Sequence, residues 1–369
     1  MPRNLCNLSD LHDRSGMALL LTLLAVSFLV ALTVRLGTSV NRQMQAAADQ
    51  GAAVQLDAML LSGLNLARAS LLADQKENDY DAAFDSWGTF DTEMIGRLFP
   101  DGKMSITVTD LSGLLQANAL VWTKKEKDQW KKTQKKKKKK NKGKKTKDPE
   151  KIQQALWKRF LLLENNGIEE TGEDKVAIML DSLADWLDEN DEERENGAEK
   201  GYYSSLERPY IPTDGPLTLI EELQLVKGWG KKNLYGSEDE TGFIDDQSTP
   251  RGIISYLTVG RQPGKININT APALVLQALH EEMTPELAAE LVNFRKQEEN
   301  KELLAETDWY WQVSGFPGDI SFDQELVTTE SSCFRITVTA EVKGFRRTGT
   351  GIIRREETQE QVLLNWKVE

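Results

Sequence analysis

The 369-residue chain has only two cysteines and two histidines. Cys6 and Cys333 lie far apart in the sequence, so no disulfide framework is encoded, and neither an oxidising nor a reducing compartment is demanded. His12 and His280 stand alone, whereas nucleophilic catalysis needs a base within hydrogen-bond reach of its nucleophile. The chain has no Gly-x-Ser-x-Gly or His-x-x-x-His sequence, and GKKT at 143–146 lacks the upstream glycine of a phosphate-binding loop. We therefore expect that the protein is not an enzyme.

Charged residues are missing from one long stretch near the start of the chain. Residues 15–34 are uncharged and are bounded by Arg14 and Arg35. A helix needs about 20 apolar residues to cross the hydrocarbon core, whereas the apolar part of a cleaved secretion signal has about 7–15 residues and ends at a small-residue site. The nearest such site, residues 46–48, lies beyond Arg35. We therefore predict a single transmembrane helix over residues 17–40.

The segment before this helix changes its interpretation. Residues 1–16 are polar and end in Gly16, and the apolar run starts at once with Met17. This arrangement resembles the prepilin signal, in which a membrane-embedded prepilin peptidase cuts after the glycine. The resemblance implies a leader over residues 1–16 and a cleavage site between Gly16 and Met17. It also implies that the apolar helix first anchors the protein in the membrane and later packs into a fibre.

One position departs from the usual pilin pattern. Most pilins and pseudopilins have Glu at the fifth mature position, where it is thought to neutralise the terminal amine of a neighbouring subunit in an apolar setting. Counted from Met17, that position is Leu21. The resemblance therefore implies a subunit that does not follow another one in the fibre and can only stand first, at its tip.

Periodicity predicts an α+β fold. Apolar residues at helical spacing predict that the helix continues as an amphipathic segment past the membrane; they are Leu56, Met59, Leu60, Leu64, Ala67 and Leu71. Alternating residues predict antiparallel strands, which are expected at 103–113, 334–342, 345–356 and 362–368. In the last strand, the alternation assigns Val362, Leu364, Trp366 and Val368 to one face.

These elements divide the chain into regions. A long N-terminal transmembrane and amphipathic helix packs on a small antiparallel pilin-like sheet, which is interrupted by a large inserted helical domain. The helix and first strand occupy residues 41–110, the insertion occupies 111–325, and the remaining strands occupy 326–369. Helical apolar spacing in four segments of the insertion indicates that it is mostly helical.

The insertion contains one strongly basic tract. Residues 124–150 hold fifteen lysines and four acidic residues, a net charge of +11, so the rest of the chain carries −23 of the total of −12. Such a low-complexity run of like charge repels itself and buries little apolar surface. We therefore predict that residues 124–150 are disordered.

Four stretches in order resemble general secretion pathway protein K, the minor pseudopilin of type II secretion. They are VTDLSGLLQANALV (108–121), LADWLDENDEERENGAEKGYY (183–203), GPLTLIEELQLVKGWG (215–230) and GKININTAPALVLQAL (264–279). In the first of them, Gln116 replaces the first Asn of the family's Asn-x-Asn pair, and Asn118 keeps the second. The basic tract lies outside the pattern.

The resemblance implies a minor pseudopilin at the tip of the type II secretion pseudopilus, where it helps to initiate and cap assembly. Its partners would be the I and J minor pseudopilins, the prepilin peptidase and the inner membrane, with the secreted substrate and the outer-membrane secretin as further candidates. The protein would be anchored in the inner membrane by one pass, with its main domain in the periplasm. We assign the partner interface to Leu56, Leu60 and Leu64 on the amphipathic helix, and the alternative is that this face lies in the subunit's own core.

Carboxylates are concentrated in one loop of the insertion. We take as candidate ligands Asp185, Asp188, Asn190, Asp191 and Glu199. Calcium binds six to eight oxygens from flexible, carboxylate-rich loops, although the spacing here does not match an EF-hand. A solvated acidic loop explains the sequence equally well, and the resemblance favours calcium. The acidic segment 236–246 is a second, weaker candidate.

Residues 264–296 also resemble a helix-hairpin-helix unit, which can bind DNA phosphates through helix N-termini. Together with the basic tract, this unit supports an alternative function as a membrane-anchored DNA receptor of a competence or DNA-uptake system. The charge of −23 over the rest of the chain repels phosphate. We therefore expect no nucleic-acid partner.

Overall fold

The computed structural model describes residues 9–99, 102–128, 130–132, 148–164, 166, 168, 172–236, 252–260, 264–356 and 360–369. Its helices are α1 (Ser9–Glu77), α2 (Thr92–Leu98), α3 (124–128 and 130–132), α4 (Pro149–Leu162), α5 (Glu173–Leu187), α6 (Lys200–Ser204), α7 (Lys231–Tyr235), α8 (Ala273–Ala278) and α9 (Pro285–Phe294). Its strands are β1 (Gly102–Asp110), β2 (Leu115–Gln116), β3 (Leu257–Thr258), β4 (Ile266–Asn267), β5 (Val327–Thr328), β6 (Cys333–Val342), β7 (Phe345–Arg355) and β8 (Gln361–Val368).

The helix α1 has 69 residues and, at 1.5 Å per residue, is about 100 Å long. Its N-terminal part is long and apolar enough to cross a membrane, with a mean hydropathy of 2.6 in a window that is not buried in the protein. Its C-terminal third packs on the sheet. Gly63 is needed at this contact, because a Cβ there would collide with the side chains of Val338 and Met104.

The main sheet has four antiparallel strands in the order β1-β6-β7-β8. The strand alternation predicted from the sequence is confirmed, because the even-numbered residues of β6 from Phe334 to Val342 face α1 and are buried. The hairpin between β6 and β7 turns at Lys343 and Gly344, both with positive φ, as a two-residue type I′ turn requires. The sheet and the C-terminal part of α1 share one hydrophobic core.

The predicted face of β8 is wrong in part. A register shift between Ile352 and Ile353 interrupts the pairing of β7 with β8. Beyond this bulge Leu363 pairs with Ile353, while Val362 pairs with Arg354 on the opposite face. One extra residue in a strand reverses the direction of all side chains beyond it. The face that Trp366 and Val368 share therefore contains Leu363 rather than Val362.

The inserted domain leaves the sheet after Asp110 and returns at Cys333. Its core is separate from that of the sheet and is rich in buried aromatic side chains; these include Trp157, Phe160, Trp186, Tyr203, Trp229, Trp309, Tyr310 and Phe322. The predicted boundary at 325/326 is wrong, because β5 pairs in parallel with β4 and so belongs to the insertion. The domain therefore ends at residue 332.

The prediction of disorder over 124–150 is wrong at both ends of the tract. Residues 124–128 and 130–132 are helical, and α4 begins at Pro149. Glu150 joins the two segments. Its Oε1 atom accepts a hydrogen bond from Trp122 N and forms an ion pair with Lys127 Nζ at 3.0 Å. Residues 133–147 lie outside the described part of the chain, as do residues 237–246 of the second acidic segment.

Candidate functional site

The predicted cleavage site lies within α1. The helix begins at Ser9 and continues through Gly16 and Met17 without a break. A Cβ at position 16 would meet nothing within 4 Å, and Met17 is exposed, as is Leu21 four residues later. The bond between Gly16 and Met17 is therefore accessible on the surface of the helix, and its cleavage stays a prediction.

The leucines predicted to bind a partner face the protein's own sheet. Leu56, Leu60 and Leu64 are 2%, 1% and 4% exposed, and they share a core with Met104, Phe334 and Ile336. The interface prediction is therefore wrong for these three side chains, because they have no surface to offer to a second chain. An amphipathic pattern shows that one helix face is buried, but it does not show what buries it.

The acidic loop of the insertion starts at the C-terminal end of α5. Asp185 is in the last turn of this helix and is fully buried, and Asp188 is the residue that follows the helix. Arg194 lies between the two carboxylates, with Nη1 2.5 Å from Asp185 Oδ1 and 2.6 Å from Asp188 Oδ2. Burial raises the pKa of Asp185, and its hydrogen bonds from Arg194 oppose this shift. No pattern in the sequence indicates this role of Arg194.

Gly197 lets the loop backbone approach Asp185. The Oδ2 atom of Asp185 accepts hydrogen bonds from Ala198 N at 2.9 Å and Arg194 N at 3.3 Å. A Cβ at position 197 would overlap that same carboxylate oxygen. The Gly-Ala-Glu part of the quoted stretch 183–203 is therefore explained by a backbone that wraps closely around a buried carboxylate.

Glu199 is the unusual member of the loop. Both of its carboxylate oxygens are buried and have no hydrogen-bond partner, and Oδ1 of Asp214 is in the same situation. Burial, followed by the charges of Asp185 and Asp188, raises the pKa of Glu199 to about 7. Buried polar groups are nearly always satisfied in native proteins, so these unpartnered oxygens are an exception within the loop.

The five predicted ligands are only partly brought together. Asp185, Asp188 and Glu199 are buried near one another, whereas Asn190 and Asp191 are exposed. The side chain of Asn190 is used within the loop, because its Nδ2 donates to Asp188 Oδ1 at 2.7 Å. Among the described residues, no three Asp, Glu, His or Cys side chains converge as a ready-made metal site. The residues present fit calcium only if the Arg194 guanidinium, which now neutralises two carboxylates, moves away.

A buried polar network joins the inserted domain to the sheet. Asp110, at the end of β1, accepts hydrogen bonds at Oδ2 from Ser331 Oγ at 2.5 Å, Thr270 Oγ1 at 2.5 Å and Asn267 Nδ2 at 3.1 Å. Asn267 and Thr270 come from the stretch 264–279, and Asp110 comes from the stretch 108–121. Both stretches stand out in the sequence, but no pattern in it predicts their contact with each other.

Arg355 extends this network to the end of α1. It donates from Nη1 to Asp81 Oδ1 at 2.5 Å, and from Nη2 to Asp74 Oδ2 at 3.0 Å and to Leu71 O at 2.8 Å. Burial raises the pKa of Asp81 to about 7, although the charge of Arg355 lowers it. The residues that fix the insertion to the sheet therefore lie at the end of α1 far from the membrane segment.

Asn118 ties together three segments of the inserted domain. Its Nδ2 donates to Leu217 O at 3.0 Å and to Val259 O at 2.6 Å, and its Oδ1 accepts from Leu217 N at 2.8 Å. The replaced position, Gln116, lies in β2 and leaves its buried Oε1 without a partner. The two positions of the Asn-x-Asn pair are thus structural, and only Asn118 is fully hydrogen bonded.

The helix-hairpin-helix-like unit consists of α8 and α9. The loop between them carries Glu281 and Glu282, and α9 has Glu286 in its first turn. The end of α8 is capped from another helix, because Arg159 Nε donates to Ala278 O at 2.6 Å. His280 Nδ1 accepts from Glu282 N at 3.2 Å. The carboxylates of this hairpin would repel a phosphate group. His280 stabilises the loop through its hydrogen bond from Glu282 N.

A long helix with a candidate membrane anchor, packed on a small antiparallel sheet with an inserted helical domain, defines a pilin-like subunit. Two sequence models, each described as "Type II secretion system (T2SS), protein K", match residues 114–235 and 266–329. Together these matches span half of the chain. The chain belongs to the type II secretion system protein K family, whose members are minor pseudopilins.

A solved structure supports the same fold. The chain is similar to a chain of the GspK-GspI-GspJ complex from the type 2 secretion system of enterotoxigenic Escherichia coli. The similarity has a TM-score of 0.56 at 15% identity and covers 89% of this chain and 99% of the other. No curated protein sequence matches the chain.

Proposed function

We propose that the protein is the tip subunit of the type II secretion pseudopilus, where it helps to initiate and cap assembly. The observation that carries this proposal is the position of the inserted domain. The junction residues Asp110, Asp81 and Arg355 lie beside Leu71 and Asp74, near the end of α1. Met17 is about 80 Å away along the helix at 1.5 Å per residue. The insertion is therefore carried at the end opposite to the membrane.

The width of this domain favours a cap. Compact domains of its size have a radius of gyration of about 17 Å, whereas a single helix is only about 10 Å in diameter. A further subunit would have to stack its own helix and sheet above this mass. Leu21 supports the same conclusion, because its apolar side chain cannot neutralise the amine of a preceding subunit.

The proposed partners are the I-type and J-type minor pseudopilins. The similar chain comes from a GspK-GspI-GspJ complex, and this chain shares the fold of that chain. The α1 helix would anchor the protein in the inner membrane, and the main domain would lie in the periplasm. Before assembly, prepilin peptidase would cut between Gly16 and Met17. The secreted substrate and the outer-membrane secretin are further proposed contacts.

We also propose that calcium binds at the acidic loop. Asp185, Asp188 and Glu199 supply buried carboxylates, and Asp214 adds a fourth acidic group nearby. The unpartnered oxygens of Glu199 and Asp214 support this proposal. Calcium would supply charge neutralisation in the loop and no reaction chemistry, and Arg194 would have to give up its two ion pairs.

The DNA-receptor alternative is disfavoured by local charge. A helix-hairpin-helix unit binds phosphate through backbone N–H groups at its hairpin, and here Glu281, Glu282 and Glu286 lie at that position. Each of these carboxylates would repel a phosphate group at close range. The pseudopilin proposal needs no such contact.

The experiment is co-expression of the full chain with the I-type and J-type subunits in membranes, followed by detergent extraction and mass measurement. We expect a complex with one copy of each subunit, and an N-terminus at Met17 in the mature chain. Long fibres of this chain alone, or failure to bind either subunit, would contradict the tip assignment. A chain that still starts at Met1 would contradict the processing step.

A further inference from the structure

The joint between the inserted domain and the sheet contains buried charged side chains. The hydrophobic core of the sheet and that of the insertion are separate clusters, and a third cluster at the crossing has only three buried side chains. Short segments of the chain cross between the two cores at 78–88, 110–114 and 331–333. In the first segment, Ala82 lies in the core of the insertion and Trp87 in the core of the sheet. Two domains that are linked in this way can change their relative orientation at the joint.

Five buried side chains from both sides of the joint form the junction cluster: Asp74, Asp81, Asp85, Asp110 and Arg355. Arg355 in β7 pairs with Asp81 at 2.5 Å and with Asp74 at 3.0 Å. The second oxygen of Asp81 accepts a hydrogen bond from Ser331 N at 2.7 Å. Asp81 therefore connects the sheet to the segment by which the insertion returns to it.

The charges of the junction cluster do not balance, because four carboxylates face one guanidinium. Each hydrogen bond that Asp110 accepts comes from a neutral group. Asp85 accepts from Ala82 N at 2.6 Å with Oδ2, and its buried Oδ1 has no partner. Lys301, whose charge also acts on Asp85, is exposed at the rim of the joint. The cluster carries a charge of −3 when all four carboxylates are ionised.

A buried excess of negative charge is costly, and carboxylates that share one site resist full ionisation. Burial raises the pKa of Asp81 to about 7, although the charge of Arg355 lowers it, and burial raises the pKa of Asp85 to about 6. Protons on these two groups reduce the charge of the cluster from −3 to −1. Further titratable or charged groups that act on members of the cluster or are acted on by them are Tyr80, Lys301, Glu302 and Cys333.

We propose that the junction cluster is a proton-controlled clamp, which holds the inserted domain in one orientation on the sheet when it carries protons and releases it when they leave. Water would solvate the carboxylates in an open joint, and their pKa values would return to about 4. The closed joint therefore binds the protons more tightly, and their loss as pH rises through about 6 to 7 favours the open joint.

Opening of the clamp needs no unfolding of either domain, since each keeps its own hydrophobic core. The contacts that it breaks are those of Asp81 with Ser331 N and of Asn267 Nδ2 with Asp110. The orientation of the inserted domain would then follow the acidity of its surroundings. This inference goes beyond the proposed function and does not depend on it, because it concerns a joint within one chain.

The first experiment measures the distance between the two domains in the full, detergent-solubilised chain by pulsed electron paramagnetic resonance. Spin labels are attached through Asn365→Cys on β8 and Glu290→Cys on α9, which are exposed positions. Cys6→Ser removes one native thiol, and Cys333 is buried. We expect one narrow distance at about pH 5 and a broadened or displaced distribution at about pH 8. Far-UV circular dichroism should be the same at both pH values.

Asp85→Asn tests whether the charge of the cluster drives the change. Its amide oxygen can still accept from Ala82 N, and its amide nitrogen takes the place of the unpartnered Oδ1. Because this variant removes one negative charge from the joint, the broad distribution should appear only at higher pH. Asp79→Asn is the matched control, since it removes the same charge from an exposed position of the same segment, and it should behave as the wild type.

Two results would overturn the clamp. One is a wild-type distance distribution that does not change between the two pH values, whether narrow or broad. The other is an equal effect of Asp85→Asn and Asp79→Asn, which would assign the change to the overall charge of the chain rather than to the junction cluster.

The second experiment is hydrogen exchange of the same chain without labels, with each rate divided by the intrinsic rate at that pH. The N–H groups of Ala82 and Ser331 are bonded to Asp85 and Asp81, whereas Val338 lies in the middle of β6. From about pH 5 to 8 we expect the protection of Ala82 and Ser331 to fall by about tenfold or more relative to that of Val338. An equal change at all three positions would mean that the whole chain loses stability without opening of the joint, and would overturn the proposal.

Discussion

Asn267 and Asp110 are 157 positions apart in the sequence and are joined across the domain junction, where Asn267 Nδ2 lies 3.1 Å from Asp110 Oδ2. The same amide nitrogen is 2.7 Å from Ser331 Oγ and 3.1 Å from Asp81 O. One side chain thus contacts the end of β1, the segment after α1 and the segment that returns to β6. Asn267 therefore holds the inserted domain in a fixed orientation on the sheet.

Asn267→Ala is expected to lower the free energy of unfolding by about 2–4 kcal/mol, because it removes one of the three hydrogen bonds to Asp110 Oδ2 and the side-chain hydrogen bond to the buried carbonyl of Asp81. Thermal unfolding followed by circular dichroism would measure the change. Asn365→Ala is the matched control, since Asn365 is exposed on β8, and it should change stability by less than about 0.5 kcal/mol. Equal effects of the two substitutions would mean that the junction does not depend on this amide.

Glu199 makes stability depend on pH in the absence of calcium. Its pKa is raised from an ordinary value of 4.5 to about 7 by burial and by nearby carboxylates. Between these two pH values the folded chain holds a proton that the unfolded chain has lost, so stability falls as pH rises from about 5 to 7. Asp81, with a pKa raised to about 7, acts in the same direction. The Glu199→Gln variant should therefore show a shallower but not flat dependence of melting temperature on pH.

Calcium is expected to reverse this trend in the wild-type protein. A ligand that binds only the folded chain stabilises it by about 2.7 kcal/mol at a hundredfold excess over Kd. Because protonated Glu199 is a poor calcium ligand, the stabilisation should be larger at pH 8 than at pH 6, and Glu199→Gln should reduce it strongly. A melting temperature of the detergent-solubilised chain that is the same with calcium and with chelator would refute the site.

Gly197→Ala tests the close approach of the loop to Asp185. The added methyl group would overlap Asp185 Oδ2, so the loop must open and the buried carboxylate must lose its bond to Ala198 N. We expect a loss of about 2–4 kcal/mol in stability and a weaker response to calcium. Gly201→Ala is the control, because a Cβ there meets nothing within 4 Å. A Gly197→Ala protein as stable as the control would show that the loop tolerates the displacement at no cost.

The sequence predicts the sheet and α1 well because both have strong periodicity. The alternation predicts all four strands of the main sheet to within a few residues, since alternating side chains such as those of 334–342 are typical of a sheet with one buried face. The apolar helical spacing predicts the helix as far as Leu71, and the helix ends at Glu77. The bulge at Ile352 and Ile353 was not predictable, because it depends on the pairing of β7 with β8 and leaves no mark in the alternation of either strand.

Long-range contacts explain the remaining errors. The helical stripe of Leu56, Leu60 and Leu64 does not identify the surface that covers it, so the sequence does not separate a partner interface from the subunit's own core. The role of Arg194 is not predictable from the sequence, because it depends on the fold of the loop, which brings this residue against Asp185 and Asp188. The end of the insertion is not predictable from the sequence, because β5 is only two residues long and is defined by its pairing with β4.

The basic tract is expected to tolerate a deletion only between its two helical ends, which are α3 and the start of α4. Removal of residues 133–147 should leave the melting temperature nearly unchanged, because these residues are polar or basic and have little apolar surface to bury. Removal of the whole tract 124–150 should destabilise the protein, since it deletes the ion pair of Lys127 with Glu150 and the start of α4. Equal melting temperatures for the two deletions would contradict the structure of these ends. The shorter deletion should also leave partner binding intact.

Leu21→Glu tests whether the tip assignment depends on the missing carboxylate. A subunit that starts the fibre has no preceding amine to neutralise, so a Glu at position 21 should not increase assembly by the wild-type subunit set. The new carboxylate would instead allow this subunit to follow another one in the fibre. It could neutralise the N-terminal amine of the preceding subunit, which offsets the cost of burying that charge in an apolar setting. Quantitative mass spectrometry of purified pseudopili would count the copies of this subunit per fibre. We expect one copy for the wild-type protein and more than one for Leu21→Glu. Several copies per fibre in the wild type would refute the tip position, and Leu21→Ile should behave as the wild type.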